Sequence, residues 1–322
     1  MSTVRYKFFR LLKLGTIVRP YIDFPKMGLY PLSCFFFKKS HLESLTKRLL
    51  LIRPYVRAVG SLYSMTGDKI IYIKYLVPKE MAEGGYFERY FKQLAEEGAI
   101  DGYLAYKVHE YKFAKGYNYK KLHNAKSFNV DVERGSKLKD RKLTYFHQNL
   151  IGNKKISIPD RIDLEIIKAL EENPLMKLIE IARRINVSLQ VVRYHYCSHI
   201  LGKGFLRGFK VLAPLPPNFT FKGIFVLKFD NLNDLYEFIT LIERTPFIES
   251  LEVSLSDVVL IWHYRMFGFN HLRKCLQLLT KLKDVGKVRG ILGNFIKEEL
   301  KRYNIDPVLF KGDRWRLDFS LD

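Results

Sequence analysis

Cysteine is scarce: Cys34, Cys197 and Cys275 are the three in 322 residues, far apart and outside any Cys-x-x-Cys or Cys/His spacing. This excludes a disulfide framework and a zinc ribbon, and points to a reducing, cytoplasmic compartment. Long apolar runs are missing too. The longest, Leu29 to Phe37, is interrupted by Pro31 and Ser33 and falls short of the ~20 residues that span a bilayer, so no membrane is expected. Arg5, Lys7 and Arg10 are not followed by a signal-peptide core with a small-residue cleavage site. Gly-x-x-x-x-Gly-Lys and His-Glu-x-x-His are absent, and the eight histidines are scattered, with His109 and His263 reading as strand residues. The acid pairs Glu96-Glu97 and Glu171-Glu172 fall near helix C-termini, where solvated faces are expected rather than acid-base chemistry. No catalytic residue, metal ligand or cofactor is therefore assigned, and the expectation is a protein that is not an enzyme.

Acids are few against bases. The 33 Asp and Glu face 55 Lys and Arg, a formal charge of +22, and such a field favours polyanions: nucleic acid first, an acidic membrane surface second. The excess is densest between Lys112 and Lys142, where ten bases face three acids with Tyr117, Tyr119 and Phe128 interleaved. That composition suits an arm that tracks phosphates and stacks on bases, or a solvated connector. At 48% hydrophobic residues the chain can bury real cores, and its length suggests two or more domains.

Helical periods concentrate from Ile158 to Lys210. Asp160 stands at an N-cap with Asp163 in the first turn, and Ile162, Ile166, Ile167 and Leu170 form one apolar stripe. Leu178, Ile181, Ala182 and Ile185 repeat the stripe, and Asn186-Val187-Ser188 turns into a third helix whose Val192, Tyr196 and Ile200 face inward. Gly202-Lys203-Gly204 and Gly208 then mark a ribbon. Three helices and a ribbon make a winged helix-turn-helix. The outer face of its third helix carries Gln190, Arg193, Tyr194 and Cys197, candidates for reading base edges. His199, Lys203, Arg207 and Lys210 lie where phosphates would run, joined by Arg5 and Lys7 from the N-terminus.

On either side the pattern is βαββαβ. The first set is Leu29–Phe37, Ser40–Ile52, Tyr55–Tyr63, Lys69–Leu76, Tyr86–Glu97 and Gly102–Tyr111; Phe35-Phe36-Phe37 serves a core or an interface. The second is Phe221–Asp230, Leu232–Glu243, Ile248–Leu255, Val258–Tyr264, Asn270–Lys283 and Lys287–Phe295. Asp68 to Tyr75 aligns without gaps on Asp257 to Tyr264, so the ferredoxin-like unit is duplicated. Val4, Phe8 and Leu11-Leu12 followed by Gly15 suggest that part of the winged helix is repeated as well. The fold expected is α+β, a winged helix-turn-helix plus two ferredoxin-like sandwiches. Its divisions are a partial winged-helix segment (1–27), a sandwich (28–113), a basic linker (114–157), the winged helix (158–215), a sandwich (216–300) and a tail (301–322) that docks on a neighbour.

The run Asp160-x-x-Asp163-x-x-Ile166-Ile167-x-x-Leu170, then Ile181-Ala182-x-x-Ile185-x-Val187-Ser188, Val192 and Gly204-Phe-Leu-x-Gly208, resembles the DNA-binding domain of the Lrp/AsnC transcription regulators. The resemblance covers roughly Ile158 to Phe295. It implies a winged helix followed by a ferredoxin-like domain that dimerises and senses small ligands. Ser254-Leu255-Ser256-Asp257 replaces the family's glycine-rich turn, so no effector residues are assigned. The expected function is sequence-specific binding of double-stranded DNA in transcription regulation, by a homodimer or an intrachain pseudo-dimer. The alternatives are an RNA-binding or nucleoprotein-organising protein that uses the sheets and linker, and an interaction protein of the transcription machinery.

Overall fold

The computed structural model describes residues 13, 16–38, 42–64, 67–113, 156–212, 220–242, 248–297, 300–312 and 314–317. Arg5, Lys7, the expected first helix and nearly all of the basic linker lie outside them.

The first sandwich runs β2 (Leu29–Phe37), α1 (Leu42–Leu49), β3 (Val56–Ser64), β4 (Lys69–Pro78), α2 (Tyr86–Glu96) and β5 (Gly102–Lys107), after an N-terminal strand β1 (Ile17–Ile22). The second runs β8 (Thr220–Lys228), α6 (Leu232–Ile242), β9 (Ile248–Ser254), β10 (Val259–Phe267), α7 (Gly268–Asp284) and β11 (Gly290–Lys297). Between them lie β6 (Glu110–Phe113), α3 (Arg161–Glu172), α4 (Leu178–Arg184), α5 (Leu189–Tyr194) and the wing strand β7 (Leu206–Leu212); β12 (Lys301–Arg302) follows β11. The protein is thus α+β, with a winged helix and two βαββαβ units.

The strands are nearly all apolar because both faces of the sheet are covered. In β4, Ile71, Ile73 and Tyr75 pack under α1 and α2, whereas Ile70 and Tyr72 face the other sandwich. The phenylalanine triplet divides by the same alternation: Phe36 joins the helical core, and Phe35 stacks on Phe295 of the second sandwich with ring centroids 5.5 Å apart. Core and interface readings therefore both hold. In the second sandwich Phe225 and Leu227 meet the helices while Ile224 and Val226 meet the first sandwich. Burying each such side chain contributes about 1.5–3 kcal/mol, so the layer between the units holds them as one body.

The strands form one row in the order β5-β2-β4-β3-β11-β8-β10-β9-β6, with β12 also pairing with β3. Each unit keeps the ferredoxin-like order, and β3 joins β11 across the seam, Phe295 opposite Ser64. The strand expected over Gly102–Tyr111 is broken. It ends at Lys107; Val108 N bonds Pro31 O at 2.8 Å within the first unit and His109 N bonds Val253 O at 2.9 Å in the second. The chain then continues as β6 beside β9, so the two ends of the row are adjacent and the sheet curls on itself. β12 repeats this move after β11, pairing Lys301 with Val59. The two units pair within the chain, related as two halves of a pseudo-dimer.

The winged helix shares its core with the first sandwich, although the second follows it in sequence: Leu164, Ile167, Ile181, Val192 and Ile200 belong to the same apolar cluster as Met27, Phe36 and Tyr75. Its wing is shared as well, since β7 pairs antiparallel with β1, Arg19 opposite Lys210. The tail docks here too. Trp315 Nε1 donates to Met27 O at 2.8 Å, and Ile305 N donates to Glu171 at 2.7 Å. Glu171 is therefore not a solvated acid: Arg57 of the first sandwich pairs with its other oxygen.

Candidate functional site

The third helix of the winged helix-turn-helix is aimed by its turn. Asn186 adopts φ +55°, a left-handed conformation that asparagine tolerates better than most residues, and the Ser188 hydroxyl accepts from Val191 N at 3.2 Å to cap α5. The helix then passes into a π-helical stretch, His195–Leu201. Val192 and Ile200 are fully buried, and Tyr196 packs partly against the core. Gln190, Arg193, Tyr194 and Cys197 are all exposed on the other side, Tyr194 at 59%. Among the four phosphate candidates in the winged helix, Lys203 stands at the helix-wing junction with its ammonium 5.8 Å from the Phe205 ring. Arg207 is half exposed but donates twice to Asp23, at 2.6 and 2.9 Å. His199 turns inward, its Nδ1 3.1 Å from Asp163. Lys210 also turns inward, its ammonium donating to Glu249 O at 2.9 Å.

Lys210 reaches into a cavity of about 500 Å³ beneath the β1/β7 ribbon, where the two sandwiches meet. Arg19, Arg57, Lys74, Lys210 and Arg302 supply positive charge; Asp23, Glu110, Glu171 and Glu249 supply negative charge; His109 and His263 also line it. Burial draws the Lys210 ammonium down to about 7; Glu249 opposes the shift, and Arg302, Arg19 and Arg265 add to it. His109 is drawn down to about 4 by burial and by Lys107, and its Nδ1 accepts from Leu255 N at 3.1 Å, so it is neutral. Arg57 Nη1 is buried without a hydrogen-bond acceptor among the described residues. Behind the lining residues Lys74 and His263 lies Glu252, fully buried: it accepts from Ser33 at 2.6 Å, lies 2.9 Å from His263 Nε2, and pairs with Lys74. Burial alone would raise its carboxyl, but Lys74 and His263 hold it well below the usual carboxylate range. Cations, a lysine titrating near neutrality and an arginine nitrogen lacking an acceptor suit a multiply anionic small molecule.

Sequence reasoning missed this cavity, whose lining runs from Arg19 to Asn304 and meets only through the intrachain pairing. A signal was present nonetheless. Lys74 follows the apolar run Ile70 to Ile73 and His263 follows the apolar run Val259 to Trp262, and a polar or charged group so placed needs a partner. No metal ligand is assigned from the sequence, where no ligand spacing is visible; four candidate ligands meet only in the fold. Asp160, Asp163, His195 and His199 bring one ligand atom each within 4.8 Å of one another.

The profile of the winged helix-turn-helix DNA-binding family matches residues 159–196. No curated relative matches the sequence. Among solved structures, the siroheme decarboxylase NirDL is similar at 14% identity and TM-score 0.51, over 87% of this chain and 74% of its own. Its complex with an iron-uroporphyrin III analogue gives 13% identity and TM-score 0.54, over 90% and 79%. The leucine response regulatory protein LrpA of Mycobacterium tuberculosis matches 49% of this chain and 99% of its own, at 17% identity and TM-score 0.32. The expectation that the chain is not an enzyme is corrected here: its double-sandwich fold is one on which a decarboxylase is built, and the charged cavity lies between the sandwiches. Among the described residues no helix is long and apolar enough to cross a membrane. The chain carries a winged helix-turn-helix of the DNA-binding type, set on a double ferredoxin-like scaffold.

Proposed function

We propose that this chain is a transcription regulator that reads double-stranded DNA in a sequence-specific manner through α5. The observation that carries the reading is the division of that helix and of the π-helical stretch that continues it: Val192 and Ile200 fully buried, Gln190, Arg193, Tyr194 and Cys197 exposed on an element capped and aimed by its turn. Gln190 is the residue type that pairs with adenine and Arg193 with guanine, and Lys203 and Arg207 border the same face for phosphate contact. The charge of +22 supplies the salt-dependent attraction. With two sandwiches paired in one chain and a single winged helix among the described residues, the DNA site is asymmetric rather than palindromic. Binding competition at graded salt tests this: preference for particular duplexes supports it, preference for single strands contradicts it.

A second reading is favoured by the cavity. Its cations and the Arg57 nitrogen suit a polycarboxylate, the class to which the iron-uroporphyrin analogue held by NirDL belongs. In this reading the chain binds such a molecule between the sandwiches and either responds to it or transforms it. Titration of iron uroporphyrin III followed by absorbance, with carbon dioxide release monitored, tests both parts. Saturable binding lost in Arg19→Ala and Arg302→Ala supports the cavity as the site; binding unchanged in both removes it.

A further inference from the structure

Four side chains in the winged helix converge in a way that neither DNA reading nor the cavity uses. Asp160 and Asp163 stand at the N-cap and third position of α3, and His195 and His199 lie four residues apart on the π-helical stretch. Both histidines aim the same ring nitrogen at the same two carboxylates. His195 Nδ1 is 2.9 Å from Asp163 Oδ1 and 3.3 Å from Asp160 Oδ2; His199 Nδ1 is 3.2 Å and 3.5 Å from those atoms. Four edges of this tetrad thus measure 2.9–3.5 Å. A tetrahedral ion with bonds of ~2.0–2.1 Å needs edges of about 3.3–3.4 Å.

Each carboxylate also accepts a backbone N–H on its second oxygen, which helps to fix the orientation of the group; the second oxygen of Asp163 lies in addition 3.1 Å from His199 Nδ1. Asp160 Oδ1 accepts from Asp163 N at 2.9 Å and Asp163 Oδ2 accepts from Asp160 N at 3.1 Å, the two halves of a capping box. The box acts as the outer shell that orients metal-binding carboxylates. Asp163 is fully buried and the histidines are largely covered, with side-chain exposures of 12% and 19%. Both rings thus present Nδ1 to the shared carboxylates, with ring centroids 4.7 Å apart. The stretch that carries both histidines is π-helical, with Gly202 N bonded to Cys197 O five residues back at 2.9 Å, a rare geometry that often marks a functional site.

We infer that Asp160, Asp163, His195 and His199 form a site for a tetrahedral divalent transition metal, Zn²⁺ foremost, that ties the DNA-reading helix to the first helix of its own domain. Two imidazoles and two carboxylates suit zinc and its substitute Co²⁺ and disfavour Ca²⁺ and Mg²⁺, which take all-oxygen sites. Ligands come from two helices joined only by the turn-containing segment between them, so the ion acts as a clasp on the pitch of the DNA-reading helix.

The test uses the full chain, stripped with a chelator and titrated with Co²⁺. The expected result is one equivalent bound with the visible absorption of tetrahedral cobalt, displaced by Zn²⁺, and a thermal midpoint raised by Zn²⁺. His195→Ala and His199→Ala should each weaken binding at least ~tenfold. Asp160→Asn keeps a competent N-cap, so it should fold as the native chain does while losing the zinc-induced rise in midpoint. Cys197→Ser, which removes the neighbouring exposed thiol, should leave the stoichiometry unchanged. No cobalt spectrum in the native chain, or a spectrum unchanged in both histidine variants, overturns the site. These readouts involve no DNA, so they stand apart from any failure of the proposed function.

Discussion

Glu252 of the second sandwich accepts a hydrogen bond from Ser33 of the first at 2.6 Å, inside the layer where the two units face each other. Its other oxygen pairs with Lys74, again from the first unit, and with His263 of its own. An apolar seam would tolerate small sliding, but this carboxylate has only one position in which all three partners are met. Glu252→Gln is expected to cost about 3–5 kcal/mol, because Lys74 is left buried beside a neutral amide. Because the folded carboxyl is held below its ordinary range, its stabilisation is fully present above about pH 4.3 and is lost as pH falls further. Denaturant melts from pH 3 to 7 should show a native chain that weakens steeply at the acid end and a variant that weakens less.

Lys210 behaves in the opposite sense. Its folded ammonium titrates near 7, so the charged form is disfavoured by folding. The penalty is complete below about pH 7 and is relieved as pH rises toward the ordinary lysine value of ~10.4. Lys210→Met should raise the thermal midpoint at pH 6, with the gain shrinking toward pH 10; a gain independent of pH would contradict the assignment. Affinity for a polycarboxylate in the cavity should likewise fall as pH rises through 7.

Gly223 sits where β8 runs between β10 and β11. A Cβ there would lie 2.2 Å from the Tyr264 ring and 2.5 Å from Phe295 O, and the second of these is backbone in the seam strand. Gly223→Ala is therefore expected to destabilise by about 1–3 kcal/mol through overpacking, read as a lower denaturant midpoint at unchanged slope.

Base and phosphate contacts separate by their signatures. Arg193→Ala should lose about 1–3 kcal/mol of discrimination at one base pair while non-specific binding persists. Lys203→Ala should weaken all duplexes alike and reduce the slope of affinity against salt by ~1. Fluorescence anisotropy on matched and mismatched duplexes distinguishes the two.

Much of the architecture was legible because it rests on local period. The inward trio Val192, Tyr196 and Ile200 and the alternation of strands in both sandwiches follow from spacing alone. What spacing does not carry is pairing between distant segments. The break after Lys107 arises because His109 meets Val253 of the other sandwich, and the cavity exists only once that crossing is made. His199 and Lys210 looked like surface cations from their place in the chain. Asp163 and Glu249, 36 and 39 residues away, draw them inward.

Selection of bound sites from random duplex DNA, with the native chain and Arg193→Ala in parallel, tests the central claim most directly. The account predicts enrichment of one asymmetric motif by the native chain and loss of a defined position in that motif by the variant. Enrichment of nothing, or of a palindrome that the variant selects equally well, would contradict it.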